Sequence, residues 1–448
     1  MPQPTAVIIT LGCRLNQADS AQIAEQLREH GFRLGEARDQ ADLIVINSCT
    51  VTGEAGRKTR QAARSARRRC PAALIAVVGC DPQVDRQFWD REPAADLVLG
   101  NREKHRLIEH LPSALGGSIG ERDTSESDAA LWPRGRAAGS PPADGRSGEA
   151  AVGHYPHRTR ANLKVQEGCD FFCSYCIVPH ARGEPRSHPL EAVLEEAHGL
   201  LGRGHRELVL TGVNLGLYRD RDCDLADLLT ELSKIDRDFR LRLSSVEPGP
   251  IIPRLLEAIK RQPKICRFLH MPLQYGANRI LRAMNRRYTV EEYGELARQA
   301  VATIPGLCLG TDIIVGFPGE DEAAFEQCLA TVDELAFGNL HIFRYSPRPG
   351  TPAAGLSGAV AGGLAEERYR CLRRLASRKE GEFARGQIGE ELHVLIEAPT
   401  PRKSGNGWSD NYLRVCLGTL PKGLQGQFAR ARIRAVGRGR QVEGTIET

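Results

Sequence analysis

The chain has 448 residues, 41% of them apolar and 26% charged, with a formal net charge of +5. That length exceeds what one hydrophobic core usually serves, so two or three domains are expected, and no apolar run is long enough to span a membrane. The N-terminus, MPQPTAVIITLGC, lacks the basic region, apolar segment and cleavage site of a secretory signal, which predicts a cytoplasmic protein.

The first segment alternates strands and helices. AVIIT (6–10) leads into Cys13, DLIVINS (42–48) into Cys49 and LIAVVG (74–79) into Cys80. Asp19 or Ser20 is placed to cap a helix with Ile23 and Leu27 on one face and Gly31 at its end. This alternation predicts a parallel sheet whose ligand edge lies at the carboxyl ends of the strands. Three cysteines distant in sequence would meet there. Between them runs RKTRQAARSARRR, Arg57 to Arg69, with seven basic residues and no acid. Such a run is either a solvated helix face or a polyanion contact. Residues 115–157 are rich in Gly, Ser, Pro and Ala without an apolar period, and read as a linker.

Six strand-like runs follow: ANLKVQ (161–166), ELVLTG (207–212), RLRLSS (240–245), RFLHMPL (267–273), LCLGTDIIVG (307–316) and NLHIFRY (339–345). Helical stretches LEAVLEEAHGLL, DLADLLTELSKI, ANRILRAM and EEYGELARQAV lie between them. Six βα units predict a full or partial parallel barrel with its chemistry at the carboxyl ends of the strands. From about Glu382, ELHVLIEA, YLRVCLG and GQFARARIRAV read as a small β-barrel. Its ten Lys or Arg against six acids from Arg385 onward suit a nucleic-acid-binding appendage. The expected fold class is thus α/β, with domains at 1–114, 158–380 and 381–448.

Thirteen cysteines in a reducing compartment point to metal binding, catalysis or burial rather than a disulfide scaffold. Cys169, Cys173 and Cys176 cluster in EGCDFFCSYCIVPHARG. Structural zinc needs four ligands, and only His180 offers a fourth; a redox dithiol would leave Cys169 idle. Three thiolates suit a cubane with one open iron. The C-x3-C-x2-C spacing after the first barrel strand resembles the radical S-adenosylmethionine (SAM) superfamily.

Together with LGCRLNQADS, NSCTVTGEAG, VVGCDPQ, LTGVNLGLY, LSSVEP, HMPLQYGANRILRAMNRRYT, GTDIIVGFPGE and FRYSPRPGTPA, the motif resembles the methylthiotransferase family. NSCTVTGEAGRKTRQAARS is most similar to the branch acting on N6-threonylcarbamoyladenosine of tRNA. The resemblance implies one 4Fe-4S cluster on Cys169, Cys173 and Cys176 that cleaves SAM. It implies a second on Cys13, Cys49 and Cys80, facing the first, that supplies sulfur. Tyr175 would flank the adenine of SAM, Thr211, Gly212 and Asn214 its amino group, Ser244, Ser245 and Glu247 its ribose or carboxylate, and Gly316 would shape a loop nearby. Polar residues at strand ends also serve as plain helix caps. The tail resembles the RNA-binding TRAM domain.

The implied partners are a tRNA anticodon stem-loop, an electron donor such as a flavodoxin or ferredoxin, and a sulfur source. Arg64, Arg67, Arg68 and Arg69 are expected to meet RNA phosphates beside the second cluster. Other targets in the family are N6-isopentenyladenosine and a ribosomal-protein aspartate. A non-catalytic iron-sulfur RNA-binding module is the alternative from another class. The sequence departs from the family at GCDPQ, where Asp81 and Pro82 replace an aromatic residue and Ala, and in the length of its linker.

Overall fold

The computed structural model describes residues 3–35, 41–112, 115, 153, 155, 158–397, 405–420, 423–437 and 439–446. The expected linker at 115–157 lies outside the described residues except at Leu115, Gly153 and Tyr155. The chain divides into two compact units: Met1–Pro156 with Ile177–Gly183, and His157–Cys176 with Glu184–Thr448.

The first unit is a five-stranded parallel sheet in the order β2-β1-β3-β4-β5. Its elements are β1 (Thr5–Thr10), α1 (Arg14–Glu29), β2 (Arg33–Leu34), β3 (Leu43–Ser48), α2 (Gly53–Arg69), β4 (Leu74–Gly79), α3 (Cys80–Val84), α4 (Arg86–Trp89) and β5 (Leu97–Leu99). Every residue of β3 and β4 is buried, as continuous apolar runs require when helices cover both faces. Leu43, Val45, Ala76 and Val78 meet Ile23 and Leu27 of α1 on one face. Ile44, Ile46, Ile75 and Val77 meet Ala63 and Ala66 of α2 on the other.

Two expectations are corrected here. Helix α1 starts at Arg14 with Cys13 as its N-cap, so Asp19 and Ser20 lie inside it, buried. Tertiary partners claim those two side chains: Asp19 pairs with Lys104 and Arg182, and the Ser20 hydroxyl accepts from Thr10 and Asn47. The four arginines expected to meet RNA do not lie beside the cysteines either: the basic run begins there, with Thr59 donating to the Cys49 carbonyl and Arg60 3.9 Å from Asp81, but its end is carried away. A crossover helix returns the chain to the opposite edge of a parallel sheet, and Arg64 stands roughly 16 Å along α2 from its start. There Arg64 pairs with Glu92 at 2.7 Å and Arg67 pairs with Asp96, while Arg68 and Arg69 are exposed.

The second unit holds six parallel strands: β6 (Arg160–Lys164), β9 (Glu207–Thr211), β12 (Arg240–Leu243), β13 (Phe268–His270), β14 (Cys308–Val315) and β15 (Phe337–Arg344). Two three-stranded ladders, β6-β9-β12 and β13-β14-β15, join through parallel bridges at Leu241–Ile265 and Ser245–His270. Together they make the expected partial barrel. Two-residue ladders pair β7 (Gln166–Glu167) with β8 (Arg186–Ser187) and β10 (Arg219–Asp220) with β11 (Cys223–Asp224). The helices in turn are α5 (Val178–Arg182, counted with the first unit), α6 (Leu190–Gly202), α7 (Leu225–Ser233), α8 (Ile251–Arg261), α9 (Asn278–Ala283), α10 (Val290–Thr303), α11 (Glu322–Glu334) and α12 (Gly362–Arg385). Beyond them β16 (Glu391–Ile396), β17 (Gly405–Ser409), β18 (Arg414–Gly418), β19 (Phe428–Val436) and β20 (Gln441–Ile446) close a five-stranded barrel.

That small barrel closes the amino end of the partial one. Glu207, the first residue of β9, is fully buried between Arg240 and Arg242 of β12. Both arginines donate onward to its main chain: Arg240 to the carbonyls of His393 and Trp408, and Arg242 to those of Ser409 and Asp410. With one end of the strands covered, the opposite, carboxyl end is left for chemistry.

Candidate functional site

Cys13, Cys49 and Cys80 stand at the carboxyl ends of β1, β3 and β4, on one edge of the first sheet. Asn16 holds two of the exits together, its amide donating to the carbonyls of Leu11 at 2.6 Å and Ser48 at 2.7 Å. Asn47 returns a bond to the Asn16 carbonyl at 2.8 Å. Asn101 donates to the Cys80 sulfur at 3.3 Å and to the Ala181 carbonyl at 2.6 Å. The N, D and S of GCRLNQADS are therefore buried tethers beneath the cysteine edge. Asp81, one of the departures noted above, is also internal: its carboxylate accepts from the Trp89 indole at 2.9 Å. Burial pushes the Cys49 thiol up to about 11; the Val51 amide opposes this, and nearby Cys80 and Cys13 add to it. A thiol so placed ionises when a cation shares the site.

Gly12 permits the approach. Its φ is +96°, and a Cβ there would stand 2.5 Å from Cys49 Cβ and 2.6 Å from its sulfur. Gly12→Ala is therefore expected to lower iron in the reconstituted protein from about eight toward about four per chain, by cubane stoichiometry. Iron and sulfide assay checks it, and a full complement would show that the edge relaxes.

In the second unit, the loop after β6 carries Cys169, Cys173 and Cys176. The Cys176 amide bonds the Cys173 carbonyl at 2.9 Å, closing a tight turn. The segment after α9 straps this loop down. Ser174 donates from its amide to the Met284 carbonyl at 3.0 Å and from its hydroxyl to the Ala283 carbonyl at 2.7 Å. Asn285 bonds the Phe172 carbonyl at 3.0 Å, and Arg287 that of Asp170 at 2.7 Å. Arg286 is buried and donates to the Cys173 sulfur at 3.2 Å while pairing with Glu247. In the sequence Arg286 is signalled only by an arginine pair just past a short helix, in AMNRRYT, a pattern that by itself assigns it no role. Burial raises the Cys169 thiol to about 11, with Cys173 adding to it and the Phe171 amide opposing.

The remaining expected residues collect at the same strand ends. Tyr175 is half-buried beside Arg286, Cys173 and Cys176. Gln166, which the sequence reading passed over, joins β6 to the 212–214 turn: its side-chain oxygen accepts from the Asn214 amide at 3.0 Å and its amide donates to the Gly168 carbonyl at 2.8 Å. A Cβ on Gly212 would meet that oxygen at 2.9 Å. Asn214 is spent as a cap, accepting from Gly216 at 3.1 Å and from the Glu247 amide at 3.4 Å. Thr211 bonds its own strand. The Ser244 hydroxyl is buried without a hydrogen-bond partner, so it is the expected residue best placed to serve a ligand. The carbonyl of its neighbour Ser245 accepts from Leu215. Gly316, at φ +79°, donates to Glu320, which Arg368 of α12 holds in turn.

Both donor sets are trios of thiolates, the soft ligand class that suits iron-sulfur clusters. Among the described residues only His270, Asp312 and His341 bring three ligand atoms within 4.8 Å of one another, and neither cysteine trio does.

Residues 163–332 match the radical SAM superfamily and residues 5–100 match an uncharacterized protein family, UPF0004. The threonylcarbamoyladenosine tRNA methylthiotransferase MtaB of Thermotoga maritima is 35% identical over 92% of this chain and 90% of its own. The chain belongs to the radical SAM methylthiotransferases. The MtaB of Bacillus subtilis is 33% identical over 92% of this chain and 90% of its own. A tRNA-2-methylthio-N(6)-dimethylallyladenosine synthase of Cereibacter sphaeroides is 36% identical over 96% of this chain and 95% of its own. Among solved structures, the radical SAM methyltransferase TsrM of Kitasatospora setae superposes with a TM-score of 0.56 at 14% identity, covering 79% of this chain and 75% of that one. That last likeness is one of fold. As a family member the chain takes SAM and iron-sulfur clusters as cofactors. No described helix is long and apolar enough to cross a membrane.

Proposed function

We propose that the chain adds a methylthio group to C2 of N6-threonylcarbamoyladenosine beside the anticodon of a cytoplasmic tRNA. The observation that supports this most is full-length similarity, at 33–36% identity, to three relatives named for that reaction. The equal identity of the dimethylallyladenosine synthases favours N6-isopentenyladenosine as the second reading.

In this proposal Cys169, Cys173 and Cys176 hold the SAM-cleaving cluster, and Cys13, Cys49 and Cys80 hold the other. Bound there, the cofactors supply the one-electron chemistry that an unactivated C2–H bond requires and the sulfur to be transferred. The chain's own work is positioning. Arg286 donates to Cys173 and fixes Glu247, Gln166 fixes the 212–214 turn, and the unpartnered Ser244 hydroxyl awaits a polar group of SAM. The C-terminal barrel, TRAM-like in fold, grips the tRNA stem, with a flavodoxin or ferredoxin as electron donor.

Nucleoside mass spectrometry of tRNA from cells with and without the gene tests the reading. Loss of 2-methylthio-N6-threonylcarbamoyladenosine is expected. Loss of the isopentenyl analogue instead would select the second reading, and unchanged tRNA would reject both.

A further inference from the structure

Three side chains given no task above meet on the concave face of the partial barrel. His270 ends β13, Asp312 lies in β14 and His341 in β15, with Asp312 beside His341 and Gly310 beside His270 in register. The neighbouring Thr311 fixes their direction, since its hydroxyl meets that of Tyr293 from the outer helix α10 at 3.3 Å. Side chains alternate along a strand, so Asp312 points inward. His270 Nε2 and His341 Nδ1 both lie 3.1 Å from the same oxygen, Asp312 Oδ1. The two rings stack with centroids 5.3 Å apart. Gly310 makes the space, because a Cβ there would stand 2.7 Å from His270 Nδ1.

The cluster has an open side and a polar floor. The His341 side chain is 48% exposed. Two residues earlier on the same strand face, Asn339 is only 1% exposed, and both ends of its amide lack a partner. The group also shares the barrel mouth with the SAM-binding loop. The carbonyl of Pro272, two residues past His270, accepts from Arg286 at 3.4 Å, and Arg286 reaches Cys173. Burial would raise the Asp312 carboxyl, but His270 and then His341 outweigh it and hold it well below the usual carboxylate range.

A buried amide with nothing to bond, beside two imidazoles and a carboxylate, is a costly lining for a pocket that takes an apolar group. An isopentenyl substituent offers these groups no partner. A carbamoyl-linked amino acid offers a carboxylate, a hydroxyl and N–H donors. We propose that His270, Asp312, His341 and Asn339 form the subsite that receives the polar N6 substituent of the target adenosine, with a doubly protonated His341 donating from Nδ1 to Asp312 and from Nε2 to the carboxylate of the substituent. This rests on the threonylcarbamoyl reading above and names the residues that enforce it. Asp312 anchors both rings so that the second nitrogen of His341 faces the ligand.

The test compares kcat/KM on two anticodon stem-loop RNAs, one carrying N6-threonylcarbamoyladenosine and one N6-isopentenyladenosine, for the wild type, His341→Phe, His341→Gln and Asp312→Asn. The ratio is internal to each preparation, so partial misfolding cancels. The preference for the threonylcarbamoyl RNA is expected to fall about 10- to 100-fold in His341→Phe, mostly through KM, as for the loss of one charged hydrogen bond. His341→Gln should recover part of it, and replacement of Arg378, which is exposed on α12, by glutamine should leave the ratio alone. An unchanged ratio in both His341→Phe and Asp312→Asn would overturn the subsite. So would zinc or manganese bound at one ion per chain and lost in Asp312→Asn, which would make the cluster a cation site. A wild type that prefers the isopentenyl RNA is a separate result, and it would overturn the substrate reading itself.

Discussion

Replacing Cys173 by serine is expected to abolish 5′-deoxyadenosine formation from SAM, by at least about 1,000-fold, because losing a cluster ligand removes the reagent rather than one contact. Iron should fall from about eight to about four per chain. Cys173 is buried, closes the turn to Cys176 and accepts from Arg286. Serine keeps the shape of the turn while exchanging a soft thiolate for a hydroxyl that stays protonated. Cys328→Ser is the matched control: Cys328 is just as buried but takes a bond from the Gly276 amide at 3.3 Å and lies in helix α11. It should keep both the iron and the SAM cleavage. Full iron and undiminished 5′-deoxyadenosine in Cys173→Ser would remove this loop from the SAM-cleaving role.

Why was so much of this readable from sequence? Strands β3, β4 and β9 are nearly continuous apolar runs, β14 ends in one, and a parallel strand covered on both faces favours such a run. That fixed β3, β4, β9 and β14 within a residue or so, and with them the edge that carries each cysteine. Elements whose pattern is broken by charge were not visible. Helix α12 buries Arg368, Leu372, Ala376 and Lys379 along one face, and two cations in that stripe hide its period. Strands β2 and β5, of two and three residues, are too short to show one. Side-chain roles set by tertiary contact were equally hidden. Asp19 read as a cap and proved to be the anion between Lys104 and Arg182, and the arginines at the end of the basic run read as adjacent to the cysteines although helix α2 carries them away. His270, Asp312 and His341 are 29 or more residues apart in sequence, and only strand register brings them together.

The same blindness applied to Glu207, whose replacement by glutamine is expected to cost about 3–5 kcal/mol of unfolding free energy, the range for breaking a buried ion pair from one side. Glutamine fits the space, so no cavity contributes. What is lost is the carboxylate paired directly with two buried guanidinium groups, which continue to hold the carbonyls of the C-terminal barrel. Burial raises the Glu207 carboxyl, but Arg242 and Arg240 outweigh it and hold it well below the ordinary carboxylate range. A depressed native pKa stabilises above the unfolded value, near 4.3 for glutamate, and that contribution is lost as pH falls toward the native one. The gap between wild type and Glu207→Gln should therefore be full at pH 7 and narrow below about pH 4. Denaturant titration at a series of pH values measures it. A gap constant down to pH 3 would place the cost of the substitution in packing or hydrogen-bond geometry rather than in the charge of Glu207.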